Sequence, residues 1–182
     1  MARLPYVDPA TAPDPVRELL DRLPVKLNVF RMMANATTDF RPLVQLGSAI
    51  LGRQKLDPRL RELVILRVAN LSPSRYEWVQ HVPIAEATGA TAAQIAALER
   101  GDVAADCFSP LERAVLRFAT EVARDVRASD AAFGDVAVRL STQEVVELVV
   151  TVGYYMMIAR LLETTAVDVD PPAGTRVVDA LR

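Results

Sequence analysis

The 182-residue chain carries a single histidine, His81, and the residues around it are of the types that move protons. A helix over residues 72–88 would place Ser74, Glu77 and His81 at i, i+3 and i+7, on one stripe. Ser72 offers a cap, Pro73 falls at a first helical position where its missing N–H costs nothing, and Gly89 offers a stop. Upstream, Asp57 and Pro58 repeat the same start for a helix to about Leu71, on which Glu62 shares a face with Ile65, Leu66 and Ala69. A carboxylate on an apolar face needs a partner. Burial disfavours its charged form and a neighbouring imidazolium favours it, so Glu62 and His81 facing each other would be strongly coupled, and such coupling brings acid and base strengths toward working pH. A plainer reading of the same residues is a surface i,i+4 contact between Glu77 and His81, with Glu62 in a structural salt bridge to Arg67 or Arg75.

The elements that must position these groups are helical throughout. Asp14 and Pro15 open a short amphipathic segment ending near Pro24, and residues 27–36 and 39–51 give two more, the second closed by Gly52. Thr91 with Gln94, Ser109 with Glu112, and Ser141 with Glu144 match capping boxes. From Ser109 to about Arg127, Leu111, Val115, Phe118, Ala119 and Val122 form one apolar face. From Ser141 to about Thr164 apolar residues recur on most sides, as expected of a helix surrounded by protein, in part by another subunit. Pro83 removes a backbone donor beside His81 and predicts a kink there. No alternating strand of useful length appears, so the fold class is all-α.

Size and composition narrow the function. With 51% hydrophobic residues, residues 1–182 make one domain with a real core at about 27–163 and Pro- and Asp-rich arms at 1–13 and 168–182. A net charge of −2 lacks the basic excess that nucleic-acid binding needs. The apolar run from Leu148 to Ala159 is short of the roughly 20 residues of a membrane span, and the start of the chain has no secretory pattern, so a cytoplasmic protein is expected. Cys107 is the only cysteine, which excludes an internal disulfide and any Cys-x-x-Cys site. No metal site is expected.

The runs Leu60 to Leu71, Tyr76 to His81 and Ala85 to Ile95 together resemble the carboxymuconolactone decarboxylase and alkyl hydroperoxidase D-like superfamily, most clearly over residues 57–100 and more loosely over 27–163. In its hydroperoxidase branch a glutamate, two cysteines and a histidine form a proton relay. By resemblance Glu62 and His81 stand at the glutamate and histidine positions, while Ser74 and Glu77 stand where the cysteines would be, so the thiols of peroxide reduction are missing. Resemblance to the decarboxylase branch implies a multi-helix bundle assembling as a trimer or hexamer. It implies a cofactor-free lyase or isomerase acting on a small organic acid or lactone, with Glu77 and His81 as acid and base and Glu62 as relay.

A carboxylate substrate would want a cation, for which Arg31, Arg67 and Arg160 are candidates. Ser74, Trp78 and Arg67 are the expected substrate contacts, and Tyr76 is expected to serve packing. Two other functions compete: a peroxidase-like protein using Cys107 as a lone thiol, and a non-catalytic ligand-binding or scaffold protein.

Overall fold

Helix signals that are local in sequence act locally in the structure. The computed structural model describes residues 1–176, which form nine α-helices and no strand: α1 (Asp14–Arg22), α2 (Asn28–Met33), α3 (Phe40–Arg53), α4 (Pro58–Leu71), α5 (Arg75–Ala87), α6 (Ala92–Glu99), α7 (Pro110–Asp125), α8 (Asp130–Ala137) and α9 (Thr142–Thr165). All three expected capping boxes form, at the starts of α6, α7 and α9, each satisfying two amides that a helix start would otherwise leave unpaired. Asp57 accepts from the amides of Arg59 and Leu60, both at 3.0 Å, and starts α4.

Several boundaries and one element differ from the sequence reading, α2 among them, which spans Asn28–Met33 rather than 27–36. Ser72 ends α4 rather than starting α5, its amide donating to the Val68 carbonyl at 2.9 Å, so α5 begins two residues late behind Ser74. Gly52 does not close α3, which continues to Arg53. The short α8, capped by Ser129, was not foreseen. Through Pro83 α5 stays helical to Ala87, and Gly89 follows at φ +99°, a left-handed conformation that suits glycine.

Helix α4 is the axis of the fold. Every residue from Leu60 to Ala69 is buried, because α5, α6, α7 and α9 pack around it. That enclosure forces Arg61, Glu62 and Arg67 out of water along with their apolar neighbours. One core lies between α4, α7, α8 and α9 around Phe118 and Leu148. A second joins α1, α2 and α3 to α9 around Phe40, and a third joins α4 to α5, α6 and α7 around Phe108.

By length and composition α9 could cross a membrane, with mean hydropathy 1.7. Its inner side, from Leu148 and Val152 to Ile158 and Leu162, is buried in the first two cores. Val146, Val149, Val150 and Met157 leave an apolar strip on its outer side.

The N-terminal arm meets the end of α9 and the residues just after it. The Arg3 amide donates to the Thr165 carbonyl at 2.7 Å, and Tyr6 and the Ala2 amide both donate to Asp168. The N-terminal arm is thus tied to the end of α9 and to Asp168, the described part of the C-terminal arm runs on to α2 and α5, and residues 177–182 lie outside the described residues.

Candidate active site

Enclosure of α4 leaves Glu62 with 0% exposure, and its two oxygens divide between two donors. Oε1 accepts from Arg61 Nε at 3.2 Å and Oε2 faces His81 Nδ1 at 2.8 Å. Arg61 also donates to the Ile50 carbonyl at 3.3 Å. A carboxylate can only accept, so the Nδ1 facing it carries the proton and Nε2 is the ring's free nitrogen. The edge of Tyr155 meets the imidazole at 4.9 Å between ring centres and 89° between planes, which fixes the ring a second time.

Glu77, one turn before His81 on α5, has the opposite surroundings. It is 2% exposed, yet neither carboxylate oxygen has a hydrogen-bond partner among the described residues, and the buried Ser74 hydroxyl has none either. Burial pushes the Glu77 carboxyl up to about 8; the nearby Ser74 hydroxyl offsets part of this even without a well-formed hydrogen bond, and the charge of Glu163 adds to it. At neutral pH Glu77 is therefore chiefly the neutral acid, able to donate.

Glu77 and His81 border the same partly open cavity, of about 120 Å³, lined by the α1–α2 connection, α2, α3, α5 and α9. Its wall is chiefly apolar, including Leu27, Phe30, Met33, Val44 and Ile158. Tyr154 and Tyr155 enter from α9. Burial raises both phenols, Tyr154 to about 12 and Tyr155 well above its ordinary value, so both remain protonated donors. Gly47 on α3 makes room for Tyr154: a Cβ there would lie 2.5 Å from the phenol oxygen, which instead reaches the Leu43 carbonyl at 3.1 Å.

The C-terminal arm roofs the cavity with Ala173 and Gly174. Two side chains of α5 hold it there. Gln80 donates to the carbonyls of Asp170 and Pro171 at 3.0 and 3.2 Å and accepts from the Ala173 amide at 3.0 Å. Tyr76 donates to the Asp170 carboxylate at 2.5 Å, which also accepts from the Asn28 amide at 2.7 Å.

The structure thus brings Glu77 and His81 to one cavity with Glu62 directly behind, and sets Ser74 buried near Glu77. It does not bring Arg67 and Trp78 there. Arg67 is spent on Thr120 and Asn70, each at 2.9 Å, and Trp78 packs against the third core. Arg31 holds the Val7 carbonyl and lies over the Tyr6 ring, and Arg160 binds the Met156 carbonyl of its own helix. Glu62 pairs with Arg61 rather than with Arg67 or Arg75. Tyr76, expected only to pack, lines the cavity and anchors the arm. Cys107 is exposed between α6 and α7 and is not part of the cavity wall. Among the described residues no cluster of histidine, cysteine or carboxylate side chains could hold a metal.

Sequence reasoning missed Gln80, Tyr154, Tyr155 and Gly47. The adjacent tyrosines, the only aromatic residues in the otherwise aliphatic α9, were the one available signal.

Comparison with known proteins agrees with this architecture. Residues 40–121 match the carboxymuconolactone decarboxylase family. An uncharacterized peroxidase-related protein with an alkylhydroperoxidase AhpD core, from Ralstonia eutropha JMP134, is similar in structure, with TM-score 0.79, 20% identity and coverage of 93% of this chain and 92% of that one. A second peroxidase-related protein, from Silicibacter sp. TM1040, gives TM-score 0.77 at 17% identity over 100% of this chain and 96% of that one. A cysteine-to-alanine variant of the debrominase Bmp8, solved with 2,3,4-tribromopyrrole, gives TM-score 0.75 at 16% identity over 100% of both chains. No curated protein matches the sequence. Residues 40–121 thus carry the likeness to the carboxymuconolactone decarboxylase family, and the fold is that of the AhpD-like structures.

Proposed function

We propose that this protein is a member of the carboxymuconolactone decarboxylase-like superfamily and a cofactor-independent lyase or isomerase that moves protons on a small organic molecule, using His81 as base, Glu77 as acid and Glu62 as the group that orients the base. The observation that carries this reading is one cavity bordered by two titratable groups of opposite character. Nε2 of His81 is free to accept a proton, and the Glu77 carboxyl is held neutral by burial.

In the simplest cycle Nε2 takes a proton from a carbon next to a carbonyl. The negative charge passes to the carbonyl oxygen, where the Glu77 proton meets it, and the imidazolium is balanced by Glu62. Return of the proton from His81 to a different carbon completes an isomerisation, whereas loss of a leaving group from the same enolate, with the His81 proton passing to the departing group, completes an elimination. Arg61 keeps Glu62 in place for both steps. General acid and base groups contribute about 10²–10⁴-fold, so enclosure and positioning must supply the rest.

The test is proton exchange on a simple carbon acid. In D2O, the protein should isomerise α-angelica lactone to its conjugated form with solvent deuterium in the product, followed by NMR. His81→Ala and Glu77→Gln should each lower the rate by at least about 10²-fold while keeping the helical circular dichroism. Wild-type turnover in both variants, or no turnover above buffer by the wild type, would overturn the reading.

The same proposal includes self-association through the outer strip of α9, where Val146, Val149, Val150 and Met157 are exposed. Val150→Lys should lower the mass seen by light scattering; an unchanged mass would count against that face.

A further inference from the structure

We infer that the cavity is built for an uncharged ring compound, one five- or six-membered ring with an acceptor oxygen, and that it rejects the carboxylate of the same shape. The inference deepens the acid–base reading above and rests on it, because it assigns the ligand's oxygen to Glu77.

Size sets the first limit. The hollow of about 120 Å³ is of the order of the roughly 150 Å³ apolar cavities that take benzene and is partly open, so it suits a single ring with a short substituent at its mouth.

Charge sets the second. Among the described residues of the wall there is no lysine or arginine. Arg61, the nearest cation behind the site, already serves Glu62 and the Ile50 carbonyl. With a neutral imidazole the trio of Arg61, Glu62 and His81 is balanced and has no positive charge to spare. A carboxylate in the cavity could accept from neutral Glu77, but its charge would have no cation to balance it among the aliphatic side chains, and once Glu77 ionised it would face a like charge. Either case penalises it strongly.

Hydrogen bonding sets the third. Ser48, Tyr76, Gln80 and Tyr154 reach the cavity but are each bonded within the protein: Ser48 to the Val44 carbonyl, Tyr154 to the Leu43 carbonyl, and Tyr76 and Gln80 to the C-terminal arm. Among the described residues the groups left over are the Glu77 carboxyl, with no partner on either oxygen, and the nitrogen of His81 not turned to Glu62. A ligand oxygen that only accepts satisfies the buried acid. The acceptor nitrogen then faces the rest of the ring, as removal of a C–H proton requires. The expectation of an organic acid or lactone is thereby narrowed to its uncharged half, and to isomerisation or elimination rather than loss of carbon dioxide from a bound carboxylate.

The experiment uses acetophenone and benzoate, which share a shape and differ in charge. Full-length protein at pH 6.5 is titrated with each by calorimetry, and the bound position is mapped by amide shifts in two-dimensional NMR. Acetophenone should bind at least about tenfold more tightly than benzoate, with shifts centred on Glu77, His81 and Tyr154. In Glu77→Leu, which keeps the enclosure but removes the donor, acetophenone should bind more weakly while toluene, with no acceptor, should not. Equal or tighter binding of benzoate, shifts elsewhere, or no binding of acetophenone by the wild type would overturn the inference. Failure here with lactone isomerisation intact removes the ligand class alone, whereas acetophenone selectivity without isomerisation removes the acid–base reading alone.

Discussion

Glu62 and Glu77 are the same residue type at nearly the same burial, on neighbouring helices, and differ in one respect: Glu62 has a partner on each oxygen and Glu77 has none. A buried carboxyl group with a partner on each oxygen is held in place, part of the framework. A buried carboxylate with no donor stays an acid, and because it borders a hollow it is available to a ligand. Burial alone does not assign a role; the partners do.

The largest effect should come from the paired side. Glu62→Ala leaves Arg61 buried without its counter-charge and releases His81, a loss of about 3–5 kcal/mol seen as a lower urea midpoint. An unchanged midpoint would mean that the pair contributes nothing to the framework.

On the unpaired side the effect should grow with pH. The folded-state pKa of Glu77 lies above its unfolded value, so its contribution to stability is fully present below the unfolded pKa, near 4.5, and is lost as pH rises through about 8. Glu77→Gln should therefore match the wild type in melting temperature near pH 5 and exceed it near pH 9, by the equivalent of roughly a few kcal/mol. A constant difference across that range would erase the contrast between the two glutamates.

A smaller effect tests the wall they share. Gly47→Ala must displace the Tyr154 phenol from the Leu43 carbonyl, costing about 1–2 kcal/mol and reshaping the cavity while leaving the Arg61–Glu62–His81 trio in place. Thermal denaturation reads the cost. Unchanged stability would show that Tyr154 is free to move. Smallest of all, Cys107→Ser should shift stability by less than about 0.5 kcal/mol, because the thiol is exposed and meets only the Ala93 carbonyl at 3.7 Å.

What the sequence disclosed follows from how far each interaction reaches. Capping boxes span three residues, so Thr91, Ser109 and Ser141 announced α6, α7 and α9. The approach of Glu62 to His81 was legible because two adjacent helices joined by a short turn have few ways to pack. Arg61 was not, since its side chain turns inward only when α5, α7 and α9 close around α4. Ser72 had the chemistry of a cap but was claimed by the end of α4. The short α8 buries only Ala132 and Val136 and contains Gly134, too little for periodicity to reveal. Most of the cavity was hidden for the same reason: its wall comes from α2, α3, α5, α9 and the C-terminal arm, and Asp170 meets Tyr76 across 94 positions of sequence.

The central claim is that Glu77 rests as a neutral acid inside the fold. Titrating its side-chain carboxyl carbon by NMR in the intact protein, assigned by comparison with Glu77→Gln, tests it most directly. The account predicts a midpoint near 8. A midpoint near the ordinary glutamate value of about 4.3 would contradict it, because Glu77 would then be an anion at neutral pH with no proton to give.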